Sequence, residues 1–532
     1  MEDGLERDQR QLQAREQLTG DMKKILIILL IVTMMLPLAL FGCKEKAGEV
    51  TFTSDDVLTS SFDGLGVEWG TYEDTNKITS WSRVLSAVDK LNPTLVRCMT
   101  NLDWFVTKFN NNGTESDTSD DTWSYNFNTK EMINTCNVLD YCQSHGIKVA
   151  FGVWNVIGKV DEELTEITDP EEKLQKIGMI KNSVADPRWA KMNADLMEYL
   201  IKIKGYSCIR WFVNTNEPNV IGKVGSSKNA YSSFQKWATG MRNVRKAFDE
   251  IGLNDLELIG GDATRYIETE KEWMSRTAKN LSDILDNYGV HIYAKFNELS
   301  QGTFRNYVED LIDLLHDKDN AAGKTKNLYI WESGLLWGKD STTDCNAYIM
   351  DYAYGLCMAD YTVQAIQGGV NGIVYWDLDD AMHYMYTEEG PTAKEWGMFS
   401  TLSTAPSDMQ EYRPWYHSSV LLTNLLRPGN TIYGKSTGYS GVRAIATLSA
   451  DKKQGGYVVV NNSSSNAKVK MKIDQKVKSG KKLYVYYYNE ELLRLGSDGF
   501  VVPNEVIDAS LNTELKIDVP KNTLVVVSSE RI

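Results

Sequence analysis

Two glutamates stand where paired carboxylates could do acid–base work. Glu217 follows an apolar run in Trp211-Phe-Val-Asn-Thr-Asn216-Glu217-Pro218-Asn219, and Glu332 follows another in Leu328-Tyr-Ile-Trp331-Glu332-Ser-Gly. Each lies between an apolar run and a breaker, so each is expected to close a buried strand and point out of its end. Cleaving a glycosidic bond requires such a pair. One carboxyl protonates the leaving oxygen, and the other attacks the anomeric carbon or activates water. Asn216 beside the first acid has an amide that can hold a sugar hydroxyl. One glutamate at a strand end is equally well explained by solvation; two with these surroundings are not.

Other chemistries find little support. The chain has five His and seven scattered Cys, with no HExxH and no CxxC pair, so neither metal nor cofactor is expected. Gly64-Leu-Gly66-Val-Glu-Trp-Gly70 lacks the spacing and the following helix of a dinucleotide loop. Asp117, Asp120 and Asp121 lie in the polar stretch Asn110–Asn126. They could hold calcium, but without EF-hand spacing they read as a solvated loop. Lys+Arg number 57 against 72 Asp+Glu, a net charge of −15, which argues against nucleic acid as a partner. The 14 Trp and 27 Tyr suit a protein that stacks on sugar rings as well as one with a large core.

These residues need a scaffold, and the sequence supplies one. Eight strand-like runs alternate with helical periods: Gly64–Trp69, Leu95–Thr100, Lys148–Val153, Arg210–Thr215, Leu256–Gly260, Gly289–Tyr293, Leu328–Trp331 and Gly372–Trp376. Most are continuously apolar, as parallel strands covered by helices are. Asp186-Pro187 caps a helix whose apolar residues step by 3 and 4 to Ile203 before Gly205. A second stripe runs from Phe234 to Ile251 and stops at Gly252. Eight βα units over 62–427 fit an α/β fold of the (β/α)8 TIM-barrel type, with a doubly wound sheet as the alternative. From 428 to 532 the pattern alternates strictly, as in Lys468–Ile473 and Glu514–Val519, and predicts an antiparallel β-sandwich. Residues 44–61 read as a linker or as a strand joining that sandwich. No linker separates barrel and sandwich, so the two are expected to pack rigidly.

The N-terminus reads as an address. Residues 1–21 are expected to be an upstream mis-start ahead of Met22. Lys23-Lys24, the apolar run Ile25–Leu40 and Leu40-Phe-Gly-Cys43 then have the order of a lipoprotein signal peptide over 22–43, with Cys43 the lipidated residue. The rest of the chain is expected outside the cytoplasm, held to a bacterial membrane or cell surface. Cys98, Cys136, Cys142, Cys208, Cys345 and Cys357 are expected to be free thiols.

With these residues in place, the chain resembles the clan A retaining glycoside hydrolases, most nearly families 39, 30 and 51. The resemblance rests on Asn216-Glu217-Pro218 on strand four, Glu332 on strand seven, Arg97 on strand two, His291-Ile-Tyr293 on strand six and Trp376 on strand eight. It implies that Glu217 is the general acid/base and Glu332 the nucleophile. It also implies that Arg97 keeps Glu332 ionised, that Tyr293 orients it, and that Trp376 floors a sugar subsite. His291 would line the site, and no cofactor would be needed. Trp69, Trp154, Trp337 and Trp396 are candidates for stacking on sugar, and Asp377, Asp379, Asp380 and His383 for holding hydroxyls. Departures occur: Cys98-Met-Thr-Asn follows Arg97 where the β-xylosidase branch has His-Gly, and Trp331 precedes Glu332 where Thr is commoner. No xylosidase specificity is carried over. The expected activity is hydrolysis of β-linked plant or microbial poly- and oligosaccharides. A sugar-binding surface lipoprotein without turnover, or a transglycosidase, are the competing readings.

Overall fold

The computed structural model describes residues 48–532 except 71–80, 111, 113–118, 155–182, 220–233, 266–269, 322–325, 341–344, 388–389, 394, 402–410 and 479. The expected signal peptide and Cys43 therefore lie outside the described residues. Among those described, no helix is long and apolar enough to cross a membrane.

Eight parallel strands close into a barrel in chain order: β1 (Gly64–Glu68), β2 (Leu95–Thr100), β3 (Lys148–Val153), β4 (Ile209–Val213), β5 (Glu257–Thr264), β6 (Asn287–Ala294), β7 (Asn327–Leu335) and β8 (Gly372–Tyr375). Helices cover the outside. Asp186 caps the helix Pro187–Met197 through the Arg188 N–H, and the chain continues as a π-turn, Glu198–Ile203, before Gly205 at φ 82°. The barrel is filled, not hollow. Trp211, Tyr329 and Trp331 pack together inside it, Tyr329 and Trp331 stacked at 5.0 Å. Glycines on neighbouring strands make room for these rings. A Cβ on Gly289 would meet the Trp331 ring at 2.6 Å, and one on Gly372 would meet Tyr329 at 2.9 Å.

Two strands run further than their sequence suggests. β7 does not end at Trp331; Ser333 and Gly334 stay paired with Ile292 and Tyr293 of β6, so Glu332 sits within the strand. β5 continues past Gly260 to Thr264, through Gly261 at φ 96° and Asp262 at φ 43°. In both cases a long neighbouring strand, β6, supplies the ladder that the local sequence does not announce.

The C-terminal region forms a seven-stranded sheet with a three-stranded sheet over it, around a core that includes Tyr457, Val459, Met471 and Val527. Residues ahead of the barrel join both sheets. Glu49–Phe52 pairs with Ala467–Ile473, in parallel, and Val57–Thr59 pairs with Thr431–Ser436. The seam with the barrel is apolar and pinned by charge. Asp360, buried in helix Tyr352–Gln367, accepts two bonds from Arg443, at 2.8 and 2.9 Å, and one from Asn462 at 2.9 Å. In the polar stretch after β2, Val106–Asn110 pairs with Thr122–Tyr125 as a hairpin. There Asp121 is ion-paired with Arg188.

Candidate active site

The C-terminal ends of β1, β2, β4, β5, β6 and β7 bring their polar residues to one mouth. Arg97 on β2 is its hub and is fully buried. Its Nη1 donates to Glu68 Oε2 (3.1 Å) and Glu332 Oε2 (3.4 Å). Its Nη2 donates to Asn216 Oδ1 (2.6 Å) and Asp262 Oδ2 (3.2 Å). His291 on β6 is the second cation. Its Nδ1 lies 3.0 Å from Glu217 Oε1 and 3.2 Å from Glu332 Oε2, and its Nε2 lies 3.0 Å from Asp262 Oδ1. Tyr293 donates to Glu332 Oε1.

Glu217 is held by its loop. Asn216 N–H donates to the Trp154 carbonyl (3.2 Å). Asn214 accepts from Trp189 Nε1 (2.8 Å). Asn219 exchanges two 2.9 Å bonds with the Thr264 backbone on β5. Glu217 itself has φ 43°, the left-handed region, although it precedes a proline. Such a backbone costs of order 1–3 kcal/mol and persists only where neighbours over-determine it, commonly at working sites. Its side chain is 20% exposed against 8% for Glu332, so Glu217 is the more open of the two. One oxygen of Glu217, one of Glu332 and a ring nitrogen of His291 lie within 4.8 Å of one another. Both His291 nitrogens face carboxylates, which suits an imidazolium and not a metal ligand.

Burial and charge compete at each group. Burial opposes the His291 charge, but Asp262 and Glu332 outweigh it and hold the imidazolium up to about 10. Burial would raise Asp262, but His291 and Arg97 keep it below its ordinary value. Burial pushes Glu68 up to about 8 against the pull of Arg97. Burial also pushes Glu332 up, helped by Glu217 and opposed by His291, Arg97 and Tyr293. The expectation that Arg97 holds Glu332 low is thus corrected. Arg97 pulls in that direction, yet desolvation wins.

The structure brings Glu217, Glu332, Arg97, Asn216, His291 and Tyr293 into one network. Because Asn216 Oδ1 accepts from Arg97, the part of its amide left for a ligand is the NH2 donor. Trp154 and Trp376 meet edge to face at 6.0 Å beside this network, with the Arg97 guanidinium 5.4 Å from the Trp154 ring. Other candidates are placed elsewhere. Trp69 is fully buried against Trp81 and Tyr141, and Trp396 is buried behind Tyr293 at 5.4 Å, so neither is a platform. Trp337 lies on the loop after β7. Asp379 and Asp380 are buried and bonded within the fold.

Sequence reasoning missed Glu68 and Asp262. Glu68 was findable, since it is an acid closing an apolar run, the criterion that found the other two. Asp262 was hidden because Gly260-Gly261 reads as the end of its strand.

No protein-family model matches the chain, and no curated protein matches it. Solved structures do. An endoxylanase of glycoside hydrolase family 30 from Clostridium papyrosolvens C71 matches with a TM-score of 0.57 at 12% identity, covering 90% of this chain and 99% of its own. An α-L-arabinofuranosidase from Thermotoga maritima matches with 0.56 at 14%, covering 91% and 99%. A family 39 β-xylosidase from Caulobacter crescentus matches with 0.54 at 15%, covering 90% and 99%. At these identities the likeness is one of fold. The chain has the barrel-plus-sandwich fold of clan A glycoside hydrolases.

Proposed function

We propose that this protein is a retaining β-glycoside hydrolase that cleaves β-linked poly- or oligosaccharides outside the cell, tethered by a lipid at Cys43. The observation that carries the reading is the approach of Glu217 and Glu332 oxygens to within 4.8 Å. Retaining enzymes hold their carboxyls about 5–5.5 Å apart, whereas inverting ones need about 6.5–9.5 Å to admit a water.

On this reading Glu217 protonates the leaving oxygen while Glu332 attacks the anomeric carbon. Arg97, His291 and the Tyr293 hydroxyl all reach Glu332, and they fix which oxygen faces the sugar. Esterification removes the Glu332 charge, and Glu217 then takes a proton from the water that releases the sugar. No step calls for a cofactor. Asn216 offers its NH2 to a hydroxyl, and Trp376 and Trp154 offer apolar surface to the ring.

An aryl β-glycoside panel identifies the sugar, and its 2-deoxy-2-fluoro derivative is expected to label Glu332. Glu217→Ala should form the glycosyl-enzyme from substrates with good leaving groups and then stall, losing about 10²–10⁴ in turnover. Azide needs no base, so it should restore turnover and give the β-glycosyl azide. An α-azide, or a label on another residue, sinks the assignment. Binding without hydrolysis would favour a sugar-binding lipoprotein, and transfer to sugar acceptors in preference to water a transglycosidase. The tether has its own test: Cys43→Ser should leave an unprocessed precursor, and normal processing would contradict it.

A further inference from the structure

We propose that the cleft between the loops after β6 and β7 and the sandwich is a second glycan-binding site, gripping a polymer away from the bond being cut. The class of ligand rests on the glycosidase reading above. The cleft encloses about 680 Å³, within the range of small-molecule sites. Its walls include Phe296, Trp337 and Tyr352 from the barrel side and Asn489, Glu490 and Asn522 from the sandwich.

Two rings of its wall, Phe296 and Trp337, continue outward to a third, Tyr348. Phe296 is 43% exposed and Tyr348 is 41% exposed. Trp337 lies between them, 5.2 Å from Phe296 and 4.4 Å from Tyr348. A single exposed apolar side chain is ordinary, but three neighbouring aromatic rings running out of a cleft whose other walls carry amides and carboxylates are not. The C–H faces of a pyranose stack on such rings, while its hydroxyls need amides and carboxylates. This cleft offers both kinds of surface.

The walls are fixed before any ligand arrives, which lowers the entropic cost of binding. Asn346 donates to the Leu335 and Trp337 carbonyls (3.1 and 3.0 Å) and accepts from Tyr348 N–H (3.0 Å), pinning the loop that bears two of the rings. Opposite, Asn489 accepts from the Glu491 and Leu492 N–H groups (3.0 and 2.7 Å). Tyr488 donates to the Tyr352 carbonyl (3.1 Å), tying the two walls together. The cleft is walled in part by chain that leaves two strands of the mouth. Phe296 follows Tyr293 on the chain that leaves β6, and Trp337 follows Glu332 on the chain that leaves β7. On this proposal a glycan leaving the mouth along those chains meets the rings.

The test uses Glu332→Gln as a binding-only parent, run on native gels containing birchwood xylan, mixed-linkage β-glucan or β-1,6-glucan. The parent should be retarded by at least one polymer. Adding Phe296→Ala and Tyr348→Ala should weaken that retention about tenfold, the worth of two ring contacts. In the active background the double variant should keep its aryl-glycoside kcat/KM and lose about tenfold on the polymer. Should it melt early, Phe296→Ala alone carries the same expectation at smaller size. Unchanged retention, or a parent retarded by none of the polymers, overturns the second site. Failure of the wild type to hydrolyse any glycoside would instead overturn the glycosidase reading, while ring-dependent retention would still support the cleft.

Discussion

Two buried arginines lie close to the rim of this barrel, and their surroundings differ in a way that separates support from chemistry. Arg413 precedes the helix Pro414–Leu425 and pairs with Asp380 through both Nη atoms, Nη1 at 2.9 Å. Asp380 also accepts from Gly397 N–H at 2.8 Å. Nearby Asp379 accepts from Ala381 and Thr401 N–H and from the Thr401 hydroxyl. Asp380 has its own cation, Asp379 is hydrogen-bonded on both oxygens, and neither reaches solvent, so this cluster holds loops. Arg97 is equally buried but shares its fork among Glu68, Asp262, Glu332 and Asn216. With Glu217 added, four carboxyl groups face two cations, and one of the four, Glu68, is raised to about 8 by burial. A cluster that keeps movable protons and opens to solvent at one member, Glu217, is equipped for acid–base work.

A matched pair of substitutions tests this contrast. Arg413→Met leaves Asp380 buried without its cation, and breaking such a pair costs about 3–5 kcal/mol. The melting temperature should drop sharply, while kcat/KM per folded molecule stays near the wild-type value. Arg97→Met should do the reverse. Its carboxyl partners can take up protons, so stability falls less, but Glu332 is left protonated and misaligned. The loss in kcat/KM should be about 10³ or more, the scale of losing a charge-stabilising donor. Thermal melts and kinetics on the same preparations decide it. If Arg97→Met loses more stability than Arg413→Met and remains active, the two clusters do not differ as argued.

The contrast also explains what the sequence could convey. The barrel was legible because apolar runs and helical stripes repeat eight times, and Glu217 and Glu332 were legible because an acid after such a run is conspicuous. Asp379 and Asp380 met the same criterion and proved structural. Asp380 meets Arg413 across 33 residues and Asp379 meets Thr401 across 22, and nothing local announces either match. Asp262 likewise meets Arg97 across 165 residues. Trp69 and Trp154 both close strand runs, yet one faces the helices and the other the mouth. Facing depends on how each chain leaves its strand, and that is decided by tertiary contacts.

The smallest expected effect concerns Glu68, and it sharpens the claim that the mouth keeps movable protons. Burial raises this carboxyl from the ordinary 4.5 to about 8 in the folded protein. A group whose folded value lies above its unfolded one stabilises the fold fully below the unfolded value. That stabilisation is lost progressively as pH rises towards the folded value. For Glu68 the window runs from 4.5 to about 8. Its limiting slope is about 1.4 kcal/mol per pH unit, and other groups titrating in the window dilute it in the whole protein. Glu68→Gln keeps an oxygen for Arg97 and cannot ionise. The variant and the wild type should therefore melt alike near pH 4.5, the variant should gain through pH 6 and 7, and the difference should level off above pH 8. The same substitution should flatten the alkaline side of kcat/KM, because an ionised Glu68 would compete with Glu332 for Arg97 Nη1. A difference in melting temperature that does not change with pH would mean that Glu68 is ionised throughout, and that the charge at the mouth is balanced by the two cations in some other way.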